Sequence, residues 1–155
     1  MHLVQAYAHE AGLVLASCAT QAKSNEITAI PALLEMIDIT GAIFTIDAMG
    51  TQTEIASKII ARGGDYVLAL KGNQGSLHDD VATWLADPEL AGISKSHTSV
   101  EGEHGRIEER TILATDAAWL AKRHPNWSKL TNIAAGHFEE LGHFAGLLLA
   151  PRLTA

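Results

Sequence analysis

The sequence predicts an α/β fold with a mixed sheet, and two patterns carry that prediction. Two short apolar runs, Leu3 to Ala8 and Leu13 to Ala19, flank a turn that contains Gly12, which is typical of an antiparallel hairpin. Residues 42–87 then alternate between β-branched runs and segments of helical periodicity. That alternation implies parallel strands joined by helices, so an antiparallel opening hairpin precedes parallel strands with flanking helices.

The bulk composition indicates one globular domain in a reducing compartment. The chain has 155 residues, 47% of them hydrophobic, which is enough for a single core. Its formal net charge of −7 argues against strong binding to a nucleic-acid backbone by this chain alone, because non-specific affinity for nucleic acids comes mostly from Lys and Arg contacts to phosphates. Cys18 is the single cysteine and excludes an internal disulfide.

The sequence also predicts a cytoplasmic protein with no membrane partner. Residues 1–8 lack the basic start and long apolar core of a signal peptide. No apolar run approaches the roughly 18–20 residues that cross a bilayer. The first strand begins almost at Met1, without a cap or charged leader, which indicates that a segment belonging upstream is absent. An ordinary edge strand is the alternative.

The next segments predict a helix followed by a buried central strand. Apolar residues recur at helical spacing from Glu26 to Asp38, and Pro31 either lies in the first turn of the stable helix or kinks it. Ala42 to Ile46 is rich in β-branched and aromatic residues, which is typical of a buried strand. The strand ends on Asp47. Thr51-Gln-Thr-Glu54 then has the residues of a capping box that opens the next helix.

The remaining elements follow from periodicity and from turn residues. In chain order they are the helix 51–62, the strand 65–70, the helix 76–87, the extended strand 105–114 and the short helix 116–122. Residues 89–104 have no clear periodicity, and the pattern dissolves after Asn132. The sequence therefore gives no secondary-structure prediction for those two stretches.

Asp47 is the first candidate for a functional residue. An acid at the carboxyl end of a strand faces the crevice in which α/β sheets place ligands. Its carboxylate is also the kind of ligand that divalent cations such as Mg²⁺ prefer. The alternative is an Asp that merely caps a turn, because Asp is common wherever a strand ends in one.

The loop Lys71-Gly-Asn-Gln-Gly75 is the second candidate. Lys71 ends a neighbouring strand, so its ammonium could hold a phosphate close to Asp47. A Gly-bearing loop before a helix can present backbone N–H groups to an anion, and Asn73 and Gln74 are possible DNA or phosphate contacts. The loop is not a P-loop, since the Gly-Lys-Ser/Thr ending is absent. A solvated Lys in a plain turn is the alternative.

Other motifs exclude several classes of site. The eight histidines include no His-x-x-x-His pair, and one cysteine cannot build a zinc knuckle, so no structural zinc is expected. Neither Gly-x-Ser-x-Gly nor Gly-x-Gly-x-x-Gly occurs, which leaves hydrolase and dinucleotide-binding functions without their signatures. The charged residues between 101 and 110 could supply metal ligands, but the solvated face of a strand explains them more simply.

Three long runs carry a family resemblance: Ser24 to Pro31, Ile46 to Gly50 and Tyr66 to Gln74. Together with shorter matches over residues 2–132, they resemble the H-repeat-associated insertion-sequence transposases, a bacterial family of the DDE class. The resemblance implies an RNase H-like fold. It also implies the activity of the intact family, which is metal-dependent DNA cleavage and strand transfer. Such enzymes use two Asp and one Glu to hold two divalent ions, with Mg²⁺ expected. Asp47 matches the second of these Asp residues.

The chain departs from this family pattern at the other two acids. The first Asp is expected in an Asp-Gly-Lys motif just before Leu3, and this chain begins after it. The Glu is expected in a motif like His-Trp-x-Ile-Glu-Asn, which does not occur. Glu108 is a weaker substitute, because His104-Gly-Arg-Ile-Glu108 is a separate, earlier family motif on an extended segment.

These departures predict an incomplete RNase H-like fold. We expect a partial DDE catalytic domain over residues 1–132 and a divergent, frameshifted tail over residues 133–155. With one of three catalytic acids, Mg²⁺ binding is expected to be weak or absent and the fragment inactive alone. DNA is the partner that the family implies.

Two other functions remain open. A non-catalytic fragment could pair with full-length transposase and interfere with it. A phosphoacceptor module of the receiver type could carry the phosphoryl group on Asp47, with Lys71 in contact. That module needs an all-parallel sheet and an acidic pair at the end of its first strand, and the opening hairpin argues against it.

Overall fold

The computed structural model describes residues 2–20, 26–87, 95–103, 106–138 and 145–149. The chain opens with the hairpin β1 (His2–Ala8) and β2 (Leu13–Thr20), paired antiparallel as the sequence predicts. Regular pairing runs from His2↔Thr20 to Ala6↔Ala16, and the register shifts between Ala6 and Tyr7. The hairpin forms a two-stranded sheet of its own.

Helix α1 (Glu26–Met36) packs against both strands of the hairpin and against the next helix. It buries Ala29, Leu33 and Leu34. The helix begins five residues before Pro31, so Pro31 lies inside it and not in its first turn. Proline has no N–H to donate within the helix, so this turn depends on packing more than on backbone hydrogen bonds.

The second sheet has six strands. Its strands are β3 (Ile43–Ile46), β4 (Asp65–Leu70), β5 (Lys95–Glu103), β6 (Arg106–Asp116), β7 (Asn132–Phe138) and β8 (Ala145–Leu149), in the order β3-β4-β8-β7-β6-β5. Among the strands that the structure describes, β3 and β4 are paired parallel and the other neighbours of this sheet are antiparallel. The sheet is therefore mixed, as predicted.

In the described ranges, three helices accompany this sheet: α2 (Thr53–Ala61), α3 (Ser76–Leu85) and α4 (Ala118–Arg123). A short 3₁₀ turn, Gly72–Gln74, precedes α3. The predicted strand-helix-strand-helix order of residues 42–87 is confirmed, with helix ends trimmed by one or two residues. Within the described residues, no helix is long and apolar enough to span a membrane.

The prediction that β3 is a buried central strand is wrong. It is the edge strand of the six-stranded sheet, with Ile43 and Thr45 exposed and Phe44 and Ile46 half-buried. The expectation of one sheet that includes the hairpin is wrong for the same reason. Among the described strands, none pairs with the free edge of β1 or with the free edge of β3, so the hairpin and the six-stranded sheet stay separate.

Sequence patterns missed three strands. β5 has one large apolar residue, Val100, among polar residues and a glycine, so it has no hydrophobic periodicity to detect. β7 begins at Asn132 and so crosses the proposed boundary, and β8, which follows it, lies between β4 and β7 in the sheet. The boundary between residues 132 and 133 stays a prediction. Residues 139–144 and 150–155 of the predicted tail lie outside the described residues.

The core lies between the six-stranded sheet and its helices. Its most deeply buried large side chains come from α1 and the segment after it, and from α2, β4, α3, α4 and β7: Leu34, Ile39, Ile55, Ile59, Tyr66, Leu68, Leu77, Leu120 and Ile133. β4 contributes two of these and has strand neighbours on both edges. It is therefore the rigid element beside which the loop after β3 is placed.

An ion-pair cluster joins α1 to α2. The Glu35 carboxylate contacts Lys58 Nζ at 2.8 Å and Arg62 Nη1 at 2.6 Å. Arg62 Nη2 also donates to the Ile37 carbonyl oxygen at 3.1 Å. The hydrogen bond and charge of Lys58 lower the pKa of Glu35. The stabilisation that Glu35 gains from Lys58 is therefore present above the ordinary glutamate pKa. It is lost as the pH falls through the lowered pKa of Glu35 in the folded chain.

Candidate functional site

Asp47 lies directly after β3 and opens the loop that leads to α2. Its side chain is exposed, and its Oδ1 atom accepts a hydrogen bond from the Gly50 N–H at 3.2 Å. Among the described residues, the Oδ2 atom has no hydrogen-bond partner. The carboxylate thus caps its own turn with one oxygen while the side chain as a whole stays exposed, so the two interpretations of Asp47 do not exclude each other.

Thr51 fixes this loop against β4. Its side chain is 1% exposed, and its hydroxyl lies 3.0 Å from the Asp47 carbonyl oxygen and 2.7 Å from the Ala69 carbonyl oxygen. The single hydroxyl proton is shared between these two acceptors. The bridge joins the end of β3 to the neighbouring parallel strand, and it orients the backbone that carries Asp47.

The predicted capping box is wrong because Thr51 is used for that bridge. Helix α2 begins at Thr53, after Gln52, and no side chain caps it. The Glu54 carboxylate accepts a hydrogen bond from the Thr53 hydroxyl at 3.1 Å and does not reach back to Thr51. A tertiary partner, the Ala69 carbonyl, outcompetes the local cap.

Asn73 and Gln74 hold the second candidate loop against the first. Asn73 Nδ2 donates to the Ala48 carbonyl oxygen at 3.0 Å, and Gln74 Nε2 lies 3.2 Å from the same oxygen. Gln74 Nε2 also lies 3.3 Å from the Thr51 carbonyl oxygen, and Gln74 Oε1 accepts from the Lys71 N–H at 2.8 Å. Sequence reasoning missed this role. One signal could have indicated it: two side-chain amides lie in the loop after β4, the strand that pairs parallel with β3.

Lys71 and Asp47 follow neighbouring strands at the same end of the sheet. β3 and β4 are parallel with Ile46 opposite Leu68, so the residues after both strands emerge on one side. The Lys71 side chain is exposed. The predicted convergence of the two loops is therefore present in the fold, and the Asn73 and Gln74 amides maintain it.

The described residues do not fit a two-metal site. They contain no group of three or more His, Cys, Asp or Glu side chains placed to hold a metal. A divalent cation such as Mg²⁺ takes about six oxygen ligands, and Asp47 supplies one carboxylate. The shell of a cation bound there would come mostly from water.

Glu108 does not complete the site. It lies on β6, four strands from β3 in the sheet order. Four strand spacings amount to about 19 Å. Two metal ions in a catalytic pair lie only about 4 Å apart, so one pair cannot contact residues on both strands.

The sheet also argues against the receiver-type module. β3 and β4 are the single parallel pair among the described strands, and the four remaining pairings of this sheet are antiparallel. A receiver requires an all-parallel sheet, so this alternative does not fit the fold.

Comparison with known proteins agrees with the predicted resemblance. Residues 1–132 match the family described as "Transposase DDE domain". The chain is 56% identical over 117 residues to the "Putative transposase YncI" of Escherichia coli O157:H7, a match that covers 75% of this chain and 30% of the relative. It is 44% identical over 117 residues to the "H repeat-associated putative transposase YbfD" of Escherichia coli K12, covering 75% of this chain and 46% of that protein.

A further relative gives the longest of the three matches described here. This "Uncharacterized protein in dhlA 3'region" of Xanthobacter autotrophicus is 44% identical over 137 residues, which are 86% of this chain and 45% of the relative. The chain thus spans less than half the length of these relatives. The match over residues 1–132 covers well over half of the chain, so the chain belongs to the DDE transposase domain family.

Proposed function

We propose that this chain is part of the catalytic domain of a DDE transposase, with an RNase H-like fold that is incomplete and inactive in DNA cleavage when alone. The observation that carries the proposal is the position of Asp47. It follows a parallel strand, its side chain is exposed, and the described residues contain no group of three or more His, Cys, Asp or Glu side chains that could hold a metal.

The loop geometry supports a role in positioning. The Thr51 hydroxyl and the Asn73 and Gln74 amides fix the Asp47 loop to the end of β4. An acid held this firmly needs little reorganisation when a reaction partner arrives, which is the arrangement that catalytic groups require. An enzyme whose catalytic residues act as a unit loses nearly all of its activity when one of them is removed. A single acid therefore cannot carry the reaction.

DNA is the substrate that this proposal implies. Lys71 is the candidate phosphate contact, because its side chain is exposed beside the Asp47 loop. Asn73 and Gln74 would hold the loop that presents Lys71, although their amides already serve backbone carbonyls. The net charge of −7 makes this chain a weak DNA binder by itself.

We expect no metal-dependent DNA cleavage by the purified chain. A supercoiled plasmid incubated with the chain and Mg²⁺ or Mn²⁺ should be nicked no faster than in a buffer blank. The Asp47→Asn variant should give the same result, because one carboxylate contributes too little coordination to matter. Gel quantification of nicked and linear DNA measures both rates.

A full-length relative of the H-repeat type, assayed beside its own variant at the matching Asp, serves as the positive control. Cleavage by the chain that exceeds the blank and is lost in Asp47→Asn would contradict the proposed inactivity. Pairing with full-length transposase, the second function left open by the sequence, stays a prediction.

A further inference from the structure

Two strands of the six-stranded sheet come from a part of the chain that the family match does not cover. The match ends at residue 132. β7 begins at Asn132, and β8 follows it in the chain. Both lie inside the strand order and not at an edge of the sheet. We call β7 and β8 together the closing strands.

The described strands of the matched region form two separate ladders in this sheet. β3 pairs with β4 and β5 pairs with β6, and among the described residues no ladder joins one pair directly to the other. β8 pairs with β4, β7 pairs with β6, and β7 and β8 pair with each other. The closing strands therefore make one sheet out of two ladders. Without them, β4 and β6 would each keep an edge of backbone N–H and C=O groups without strand partners.

β4 is the strand for which such a free edge would cost most. Tyr66, Leu68 and Leu70 of this strand are 0–3% exposed, so its backbone lies in the core of the molecule. A backbone donor or acceptor that is buried without a partner is expensive. β8 pairs with β4 from Val67 to the end of the strand at Leu70. It therefore covers the second edge of β4 along most of its length.

The pairing with β8 reaches the end of β4 that supports the candidate site. Gly146 of β8 lies opposite Leu70, the last residue of β4. The neighbouring Ala69 carbonyl oxygen accepts the hydrogen bond from the Thr51 hydroxyl, at 2.7 Å, that fixes the Asp47 loop. The position of this end of β4 thus sets the position of the Asp47 loop.

We propose that β8 is an intramolecular strap that takes the second edge of β4, joins the two ladders into one sheet and holds the end of β4 against which the Asp47 loop is fixed. The matched region of this chain then depends for its order on a strand that lies outside the match. The inference goes beyond the proposed function, because it holds whether or not Asp47 takes part in catalysis.

A proline in β8 tests whether β4 depends on the strap. Leu148 lies opposite Leu68 on one side and Ile133 on the other, and a proline in a strand with two neighbours removes a ladder N–H. We expect Leu148→Pro to speed amide hydrogen exchange in β4 and at Gly50 by at least about tenfold. Thr154→Pro, beyond β8 in the sequence, is the matched control and should exchange like the unmodified chain.

A pair of engineered cysteines tests the position of the strap without breaking its ladder. Ala69 lies opposite Leu147. Opposed residues of antiparallel strands have Cα atoms about 4.5–5.5 Å apart, which is within the range of a disulfide. In a Cys18→Ser background, Ala69→Cys with Leu147→Cys should form an intramolecular disulfide on mild oxidation. Ala69→Cys with Val100→Cys should not, because β5 lies four strands from β4 in the sheet order.

Two results would overturn the proposal. One is a Leu148→Pro chain in which the amides of β4 and Gly50 exchange as slowly as they do in Thr154→Pro. The other is a cysteine pair at 69 and 147 that oxidises no faster than the pair at 69 and 100, because β8 would then not lie beside β4. If Leu148→Pro fails to fold while Thr154→Pro folds, the fold requires β8, and the cysteine pairs decide whether β4 is the strand that it covers.

Discussion

Replacing Tyr66 with alanine is expected to lower the free energy of unfolding by about 3–5 kcal/mol, the usual cost of deleting a buried aromatic ring. Tyr66 is 0% exposed on β4, and its hydroxyl donates to the Ser128 carbonyl oxygen at 2.8 Å. A domain of this size is stable by about 5–15 kcal/mol, so the loss is a large fraction. Urea unfolding followed by circular dichroism measures the change.

Tyr66→Phe separates the ring from the hydroxyl. It keeps the packing and loses one hydrogen bond, so we expect a cost of about 1 kcal/mol at neutral pH. If Tyr66→Phe and Tyr66→Ala destabilise equally, the ring is not packed as described.

The unmodified chain and Tyr66→Phe are expected to differ in how their stability depends on pH. Burial raises the pKa of Tyr66 in the folded state above the ordinary tyrosine value. The unfolded chain therefore releases this proton first, and stability falls as the pH rises above about 10, by roughly 1.4 kcal/mol per pH unit. Tyr66→Phe should lack this component. Unfolding free energies of the two proteins at pH 8 and pH 11 test the difference.

Replacing Gly50 with alanine is expected to destabilise the chain by about 1–3 kcal/mol, which is typical of overpacking. A Cβ atom at Gly50 would overlap Ile46 Cγ2 and Ile30 Cδ1. The Ile30 methyl ends a flexible side chain and can move away. The Ile46 methyl is attached at Cβ, so it can move only with a change of rotamer or backbone.

The effect of Gly50→Ala should extend to the Asp47 loop. The Gly50 N–H is the group that donates to Asp47 Oδ1, so displacing it frees the carboxylate from its turn. Gly72→Ala is the matched control, because its Cβ would meet no heavy atom within 4 Å. Equal melting temperatures for Gly50→Ala and the unmodified chain would contradict the close packing around this loop.

Local patterns in the sequence predict most of the elements but not their neighbours. The hairpin and the alternation of β3, α2, β4 and α3 are visible because period-two and helical repeats are properties of one segment. The position of β3 at a sheet edge is not visible, because it depends on whether another strand lies beside it. β3 contains no charge, proline or glycine, which is the composition of a strand with neighbours on both sides, so its sequence predicts a central position.

The candidate site was predictable to a similar extent. Asp47 and Lys71 stand out because each follows a strand, and parallel pairing brings their loops to one side of the sheet. The bridge by Thr51 could not be predicted, since a Thr before a helix is more often a cap. Nor could the amides of Asn73 and Gln74 be assigned to Ala48, because contacts between loops are set by the register of distant strands.

Binding of Mn²⁺, measured by calorimetry on the chain and on its Asp47→Asn variant, tests most directly whether Asp47 stands alone. We predict that neither protein has a site with a dissociation constant below about 1 mM and that the two titrations superimpose. Stoichiometric binding in the micromolar range that disappears in Asp47→Asn would show that other ligands surround Asp47, and it would contradict the account.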